Sequence, residues 1–403
     1  MKLQPPKGES QLIMEQIKSE SLICRLFNRM ILLRSLLICH VSLIVCLHSL
    51  SAQKISLESA VYQGVVWRHT PKLTTKTGEG ISGQELGIRF QTLGRRDWQA
   101  WQRYPSLGGV FACFQLGENA HERAFGLLPW LNVPILRAAW FSAHFRIGTG
   151  LAWVTKPYDW WNNPGQNAIG SHWNNMTQFR LAAEARLSAH TRLLLGGSFT
   201  HFSNGGMSLP NYGINVLSGW VGATWSPKPL RKADFKAAGT SRKLGGRRLG
   251  GLLQGGFSAI QIATFDGPKY PVWSGSAAVL YRFNKLHRAS FGLDYEQNKA
   301  IYAWGLHSTR FDDEAAARQG ATRLALFLGE EFLFGDLGIQ LQLGRYFGGK
   351  YNAFVPKSLY SKLSIRWYLP ESIPTPVRPF LGATLKTHAF TAEYIAWNLG
   401  LAF

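Results

Sequence analysis

The sequence predicts an all-β fold: a transmembrane antiparallel β-barrel of about 12–16 strands, following an N-terminal signal peptide. Three observations predict it. Charged residues make up only 17% of the 403, against roughly a quarter in soluble proteins, while aromatic residues reach 13% and glycines number 42. Beyond residue 52 no apolar run reaches the roughly 18 residues that a membrane helix needs. Finally, segments in which apolar residues alternate with small or polar ones recur along the chain, the period-two pattern of barrel strands.

The chain opens with two segments outside this pattern. Residues 30–52, "MILLRSLLICHVSLIVCLHSLSA", carry a basic residue, Arg34, before the apolar run Ser35–Leu50, with small Ser51 and Ala52 behind it. That is the layout of a secretory signal peptide, cleaved near Ala52 or Gln53. Residues 1–29 are polar, precede a second methionine at Met30, and read as a mis-assigned or disordered extension. Cys24, Cys39 and Cys46 lie in this leader, so Cys113 alone remains in the mature chain and no internal disulfide is expected. The formal charge is +21; removing the leader's six basic and three acidic residues leaves +18. In an exported β-protein such an excess points to anionic lipid headgroups and lipopolysaccharide phosphates, not to nucleic acid.

Strands are expected near 58–69, 84–93, 107–117, 122–131, 137–154, 176–188, 190–203 and 213–226. After a basic linker or periplasmic loop, 227–249, they resume near 250–262, 274–283, 288–298, 323–333, 335–345, 358–368, 378–388 and 391–403. The last strand shows the alternation plainly: Ile395, Trp397, Leu399, Leu401 and Phe403 on one face, Ala396, Asn398, Gly400 and Ala402 on the other. The halves 53–226 and 250–403 form either one wide barrel or an eight-stranded barrel with added strands. An even strand number puts both ends in the periplasm.

The candidate site lies at "THFSNGGMSLPNYGIN", Thr200–Asn215. In the strand ending here, Leu193, Leu195, Phe199, His201 and Ser203 share the more apolar, lipid-facing side. Same-face residues stand about 6.8 Å apart along a strand, within reach of an imidazole leaning over a serine. In the following strand Asn215, Leu217 and Val221 share the lipid-facing side, and a hairpin pairing Ser203 with Gly213 sets His201 opposite Asn215. Serine, histidine and asparagine then converge on the outer wall at the exterior rim, since the seventh strand runs outward. Elsewhere, Ser171 and His172 are expected to support the site or shape their loop. Trp160, Trp161 and Trp173 read as interfacial anchors, Glu184 as lumenal and Cys113 as a strand residue. No metal or phosphate-loop motif occurs, so no metal or other cofactor is expected.

The stretch His201-Phe202-Ser203-Asn204-Gly205-Gly206, followed by Pro210-Asn211-Tyr212-Gly213-Ile214, resembles the active-site signature of the lipid A 3-O-deacylase (acyloxyacyl hydrolase) family. The resemblance is specific over about fifteen residues, extends loosely over 57–226, and in the C-terminal half is to the longer, Bacteroidetes-like members. It implies an outer-membrane ester hydrolase acting on lipid A of lipopolysaccharide in the outer leaflet. Ser203 would be the nucleophile and His201 the base. Asn204, the Gly206 N–H and Asn211 would hold the oxyanion or substrate. The family's third member is a glutamate twelve residues after the serine; here Asn215 stands there. An amide can orient the imidazole but brings no charge, and in a serine triad an Asp→Asn change costs roughly 10⁴ in turnover. The competing readings are a passive porin or structural barrel with a decayed site, and a phospholipase barrel sharing the serine chemistry.

Overall fold

The computed structural model describes residues 54–75, 80–117, 122–138, 140–243, 246–262, 265–347, 358–370, 373, 376–388 and 391–403. The expected extension and signal peptide, with their three cysteines, lie outside the described residues. All sixteen expected strands occur, in sequence order, but they close into two barrels of eight. The first runs from β1 (Lys54–Val66) to β8 (Ile214–Trp225), the second from β9 (Leu249–Ile260) to β16 (Thr391–Ala402).

Closure corrects both arrangements expected from the sequence: the halves form neither one wide barrel nor one barrel with added strands, but two closed barrels. β8 pairs back onto β1 from Val66↔Val216 to Leu57↔Trp225, which uses up both edges of the first sheet. β16 likewise returns to β9, from Trp397↔Phe257 to Ala402↔Leu252. With no free edge in either sheet, a strand of one half has nothing to pair with in the other, and a single wide barrel does not form.

Eight strands enclose a space that side chains fill. The first lumen holds Glu58, Glu85 and Glu184 against Arg89, Arg146 and Arg180, with N···O distances of 2.7 Å for Arg89–Glu184 and Arg146–Glu85 and 3.1 Å for Arg180–Glu58. The second holds Arg288–Glu331 and Lys362–Asp294 at 2.6 Å and Arg323–Glu393 at 2.8 Å. Buried charges persist only when paired and hydrogen-bonded, and these are paired several times over. The expected lumenal Glu184 is among them. Among the described residues, paired charged side chains occupy both interiors, where a wide passive barrel would hold an aqueous channel. On the outer walls Leu86, Leu127, Leu151, Trp397 and Leu399 are more than half exposed, the apolar surface that lipid covers.

The ends of the barrels differ. One rim of the first barrel carries residues 67–75, 116–117, 155–172 and 204–213. The other carries α1 (Asp97–Trp101), on which the basic segment after β8 docks: Gly239 N–H donates to Asp97 Oδ1 (2.8 Å) and Lys236 N–H to the Leu93 carbonyl (2.9 Å). Two further helices, α2 (Lys299–His307) and α3 (Glu314–Ala321), sit between strands of the second barrel.

Candidate functional site

The site is built at the end of β7 (Thr191–Ser203) and the start of β8. Phe202 is fully buried, pointing into the lumen, where its ring meets Phe114 at 5.8 Å in an edge-on contact. Pinning this aromatic inward forces its neighbours His201 and Ser203 onto the outer face, because successive side chains alternate. The ladder sets His201 opposite Asn215, as the hairpin register predicts.

His201 Nδ1 lies 2.6 Å from Asn215 Oδ1. A carbonyl oxygen only accepts, so His201 carries its proton on Nδ1 and leaves Nε2 as the basic nitrogen. Asn215 is itself held from behind: its Nδ2 donates to Nδ1 of His69, 2.9 Å away and 146 residues earlier. With its Nδ1 accepting from this amide nitrogen, His69 supports the orientation in which Asn215 Oδ1 faces His201. The ring of His201 also rests on Gly213, where a Cβ would come within 2.7 Å of its Cε1.

Ser203 is buried, 3% exposed, beneath the loop 204–213. It lies on the outward side of the strand, as the alternation predicts, and the loop covers it. Its Oγ accepts from the backbone N–H of Gly205 at 3.0 Å and from Asn211 Nδ2 at 3.2 Å. Gly205 and Gly206 have φ of +65° and +80°, a backbone shape that glycine adopts without strain. Asn204, expected among the oxyanion groups, has its side chain bonded within this loop and to the loop that carries Ser171. Its Nδ2 donates to the Ser208 carbonyl (2.8 Å) and to Ser171 Oγ (2.9 Å), and its Oδ1 accepts from Ser208 N–H (3.3 Å). Among the described residues no hydrogen bond joins His201 to Ser203. Catalytic hydrogen bonds are often long without substrate and tighten when it binds.

The remaining sequence candidates fall around this centre. Ser171 supports Asn204 and itself donates to the Trp173 carbonyl at 2.8 Å. His172 stacks on Trp153 at 4.6 Å and has its Nδ1 2.8 Å from the Val154 carbonyl oxygen, a structural position. Trp160, Trp161 and Trp173 are exposed. Cys113 lies within β3 (Ser106–Gln115). No grouping of metal-ligating side chains occurs among the described residues. Sequence reasoning missed His69 and the Gly205 N–H. The one available signal for His69 was chemical: an asparagine in place of a carboxylate has a spare donor that needs an acceptor.

On the outer wall directly beneath His201 and Asn215 lies a groove of about 580 Å³, walled by Phe145, Phe179, Phe199 and Leu217. Its floor includes the cross-strand pair Gly197–Gly219, where an added Cβ would meet nothing within 4 Å. The arrangement thus joins a buried hydroxyl under two N–H donors, an oriented imidazole and an apolar trough on a lipid-facing wall.

Two family models match the chain. One, for lipid A 3-O-deacylase (PagL), matches residues 82–224; the other, for the C-terminal domain of acyloxyacyl hydrolase, matches 248–403. Among solved structures, that of the outer-membrane enzyme PagL matches at 14% identity and a TM-score of 0.29, over 43% of this chain and 99% of its own. CdiB from Acinetobacter baumannii matches at 8% identity and a TM-score of 0.18, over 87% of this chain and 60% of its own. A mutant Rh. blastica porin matches at 8% identity and a TM-score of 0.18, over 87% and 99%. No curated protein matches.

Proposed function

Since the chain belongs to the lipid A 3-O-deacylase (acyloxyacyl hydrolase) family, we propose that it is a serine ester hydrolase removing an ester-linked acyl chain from lipid A, with Ser203 as nucleophile. The protein is a β-barrel protein of the bacterial outer membrane. Lipid A enters sideways from the outer leaflet, its acyl chain along the groove beneath His201 and its ester at the rim. His201 Nε2 takes the Ser203 proton as Oγ attacks the ester carbonyl carbon. The oxyanion draws the N–H of Gly205, that of Gly206 and Asn211 Nδ2 toward itself. The tetrahedral adduct collapses to acyl-Ser203 as the lipid A alkoxide leaves with the proton from His201. Water, activated by the same imidazole, then releases the acyl chain. Asn215 holds the productive tautomer throughout, and His69 holds Asn215.

The observation that carries this reading is the His201–Asn215 contact of 2.6 Å beside a serine already receiving two N–H donors. The test is hydrolysis in detergent micelles with lipid A and, separately, a diacyl phospholipid. The reading expects fatty-acid release from lipid A, lost in Ser203→Ala and His201→Ala. Preferential cleavage of the phospholipid would point instead to a phospholipase. Ion conductance without hydrolysis would favour the passive barrel, a reading that the ion-paired lumens argue against.

A further inference from the structure

We infer that the second barrel is a working part of the first barrel's site: through Gln261, it holds the loop 204–213 in the shape that aims donors at Ser203. This rests on the reading of Ser203 as nucleophile.

The loop has reason to need an outside hold. It is ten residues long, contains no helix or strand, and has glycines at positive φ at 205, 206 and 213. Glycines lose more conformational freedom on ordering than any other residue. Its internal ties run from the Asn204 side chain to Ser208, from the Asn204 N–H to Asn211 Oδ1 (3.1 Å) and from the Met207 N–H to the Asn204 carbonyl (3.4 Å); none of these uses the Gly206 carbonyl or the Leu209 N–H. The two ends of the outermost turn, the Gly206 carbonyl and the Leu209 N–H, are tied to the other barrel. Gln261 follows directly on β9 and is 7% exposed. Its backbone N–H donates to the Gly206 carbonyl at 2.9 Å. Its Oε1 accepts from the Leu209 N–H at 2.7 Å, and its Nε2 donates to the Gly267 carbonyl at 2.7 Å. One residue therefore grips the turn at both ends while its own side chain is anchored.

The wall of the second barrel closes the back of the turn. A Cβ on Gly205 would come within 2.8 Å of Ile395 Cγ1, and one on Gly206 within 3.0 Å of the Glu393 carbonyl oxygen. Both neighbours belong to β16. Glu393 is in turn fixed from the second lumen by Arg323, at 2.8 Å. A separate contact, Tyr158 against Phe265 at 4.9 Å, braces the loop that carries Ser171, the partner of Asn204. The two N–H donors on Ser203 thus depend on a turn shaped against a surface that belongs to the other barrel. Gln261 is a positioning residue, since it acts on Ser203 only through the loop.

The test uses the full chain with Gln261→Ala, Gln261→Glu and Ser203→Ala. Gln261→Glu keeps an acceptor for Leu209. Three quantities are read: the rate of Ser203 modification by a small p-nitrophenyl phosphonate, kcat and KM on lipid A, and amide exchange of Leu209. In Gln261→Ala, phosphonate labelling and kcat should fall by roughly tenfold or more, as when oxyanion donors are misplaced. KM should stay within about twofold, Leu209 should exchange faster, and both barrels should keep their resistance to unfolding in SDS. Gln261→Glu should recover most of the labelling rate. Labelling, turnover and exchange all at wild-type levels in Gln261→Ala would overturn the inference. Failure of Ser203 to react in the wild type would overturn the functional reading and Gln261's role in it. Leu209 exchange would then still decide whether Gln261 holds the loop.

Discussion

Replacing Asn215 by aspartate separates the two contributions of a triad's third member. The change is isosteric, so the 2.6 Å contact to His201 Nδ1 is kept while a charge is added. In a serine triad the reverse change costs roughly 10⁴ in turnover, mainly because the amide stabilises the wrong histidine tautomer. Here the amide oxygen already faces His201 Nδ1 and the amide nitrogen faces His69, the arrangement that keeps the proton on His201 Nδ1. Only the charge is missing. A net hydrogen bond is worth about 1 kcal/mol between neutral groups and about 1.5–3 kcal/mol when one partner is ionised. A gain of about 1–1.5 kcal/mol in the transition state corresponds to roughly a tenfold rise in kcat. The assay is single-turnover release of fatty acid from lipid A in micelles at fixed pH. A rise of 10³ or more would refute the reasoning, since it would mean that the native amide holds the wrong tautomer. No change or a fall would mean that His201 is not the base.

The same logic predicts that His69→Ala lowers kcat by roughly fivefold with KM unchanged, because one hydrogen bond of about 1 kcal/mol no longer orients the amide. In an Asn215→Asp background that loss should vanish, since a carboxylate has no wrong end; a double-mutant cycle reads this coupling. Gly197→Leu fills the floor of the groove and should lower turnover of long-chain relative to short-chain esters by roughly tenfold, measured with synthetic acyl esters. Glu58→Ala removes a partner shared by Arg89, Arg146 and Arg180. Leaving those buried cations under-compensated should cost about 3–5 kcal/mol, seen as a lower unfolding temperature in a gel-shift assay.

The strands were legible because each has two chemically different faces. A lipid-facing wall of Leu and Trp beside a lumenal row of Ala, Asn and Gly, as in β16, leaves little choice of register. The hairpin register followed, and with it the meeting of His201 and Asn215. Closure was not legible: β8 shows the same alternation whether its free edge meets β1 or β9. The rim helices α1 to α3 are short pieces between strands, without the sustained period-two pattern that marked everything else. Within the site, the residues close in sequence were found and the distant ones were not. His69 and Gln261 lie 146 and 52 residues from the atoms they hold, in connections with no repeating pattern. Asn204 fits an oxyanion role by motif, but its short amide also suits turn bonding, and its side-chain hydrogen bonds go to Ser208 and to Ser171 on the neighbouring loop.

The most direct test of the central claim is mass spectrometry of lipid A from envelopes carrying the wild-type protein or Ser203→Ala, with folding of both confirmed. The account predicts loss of one acyl mass with the wild type and intact lipid A with Ser203→Ala. Intact lipid A with both, or equal loss with both, would contradict it.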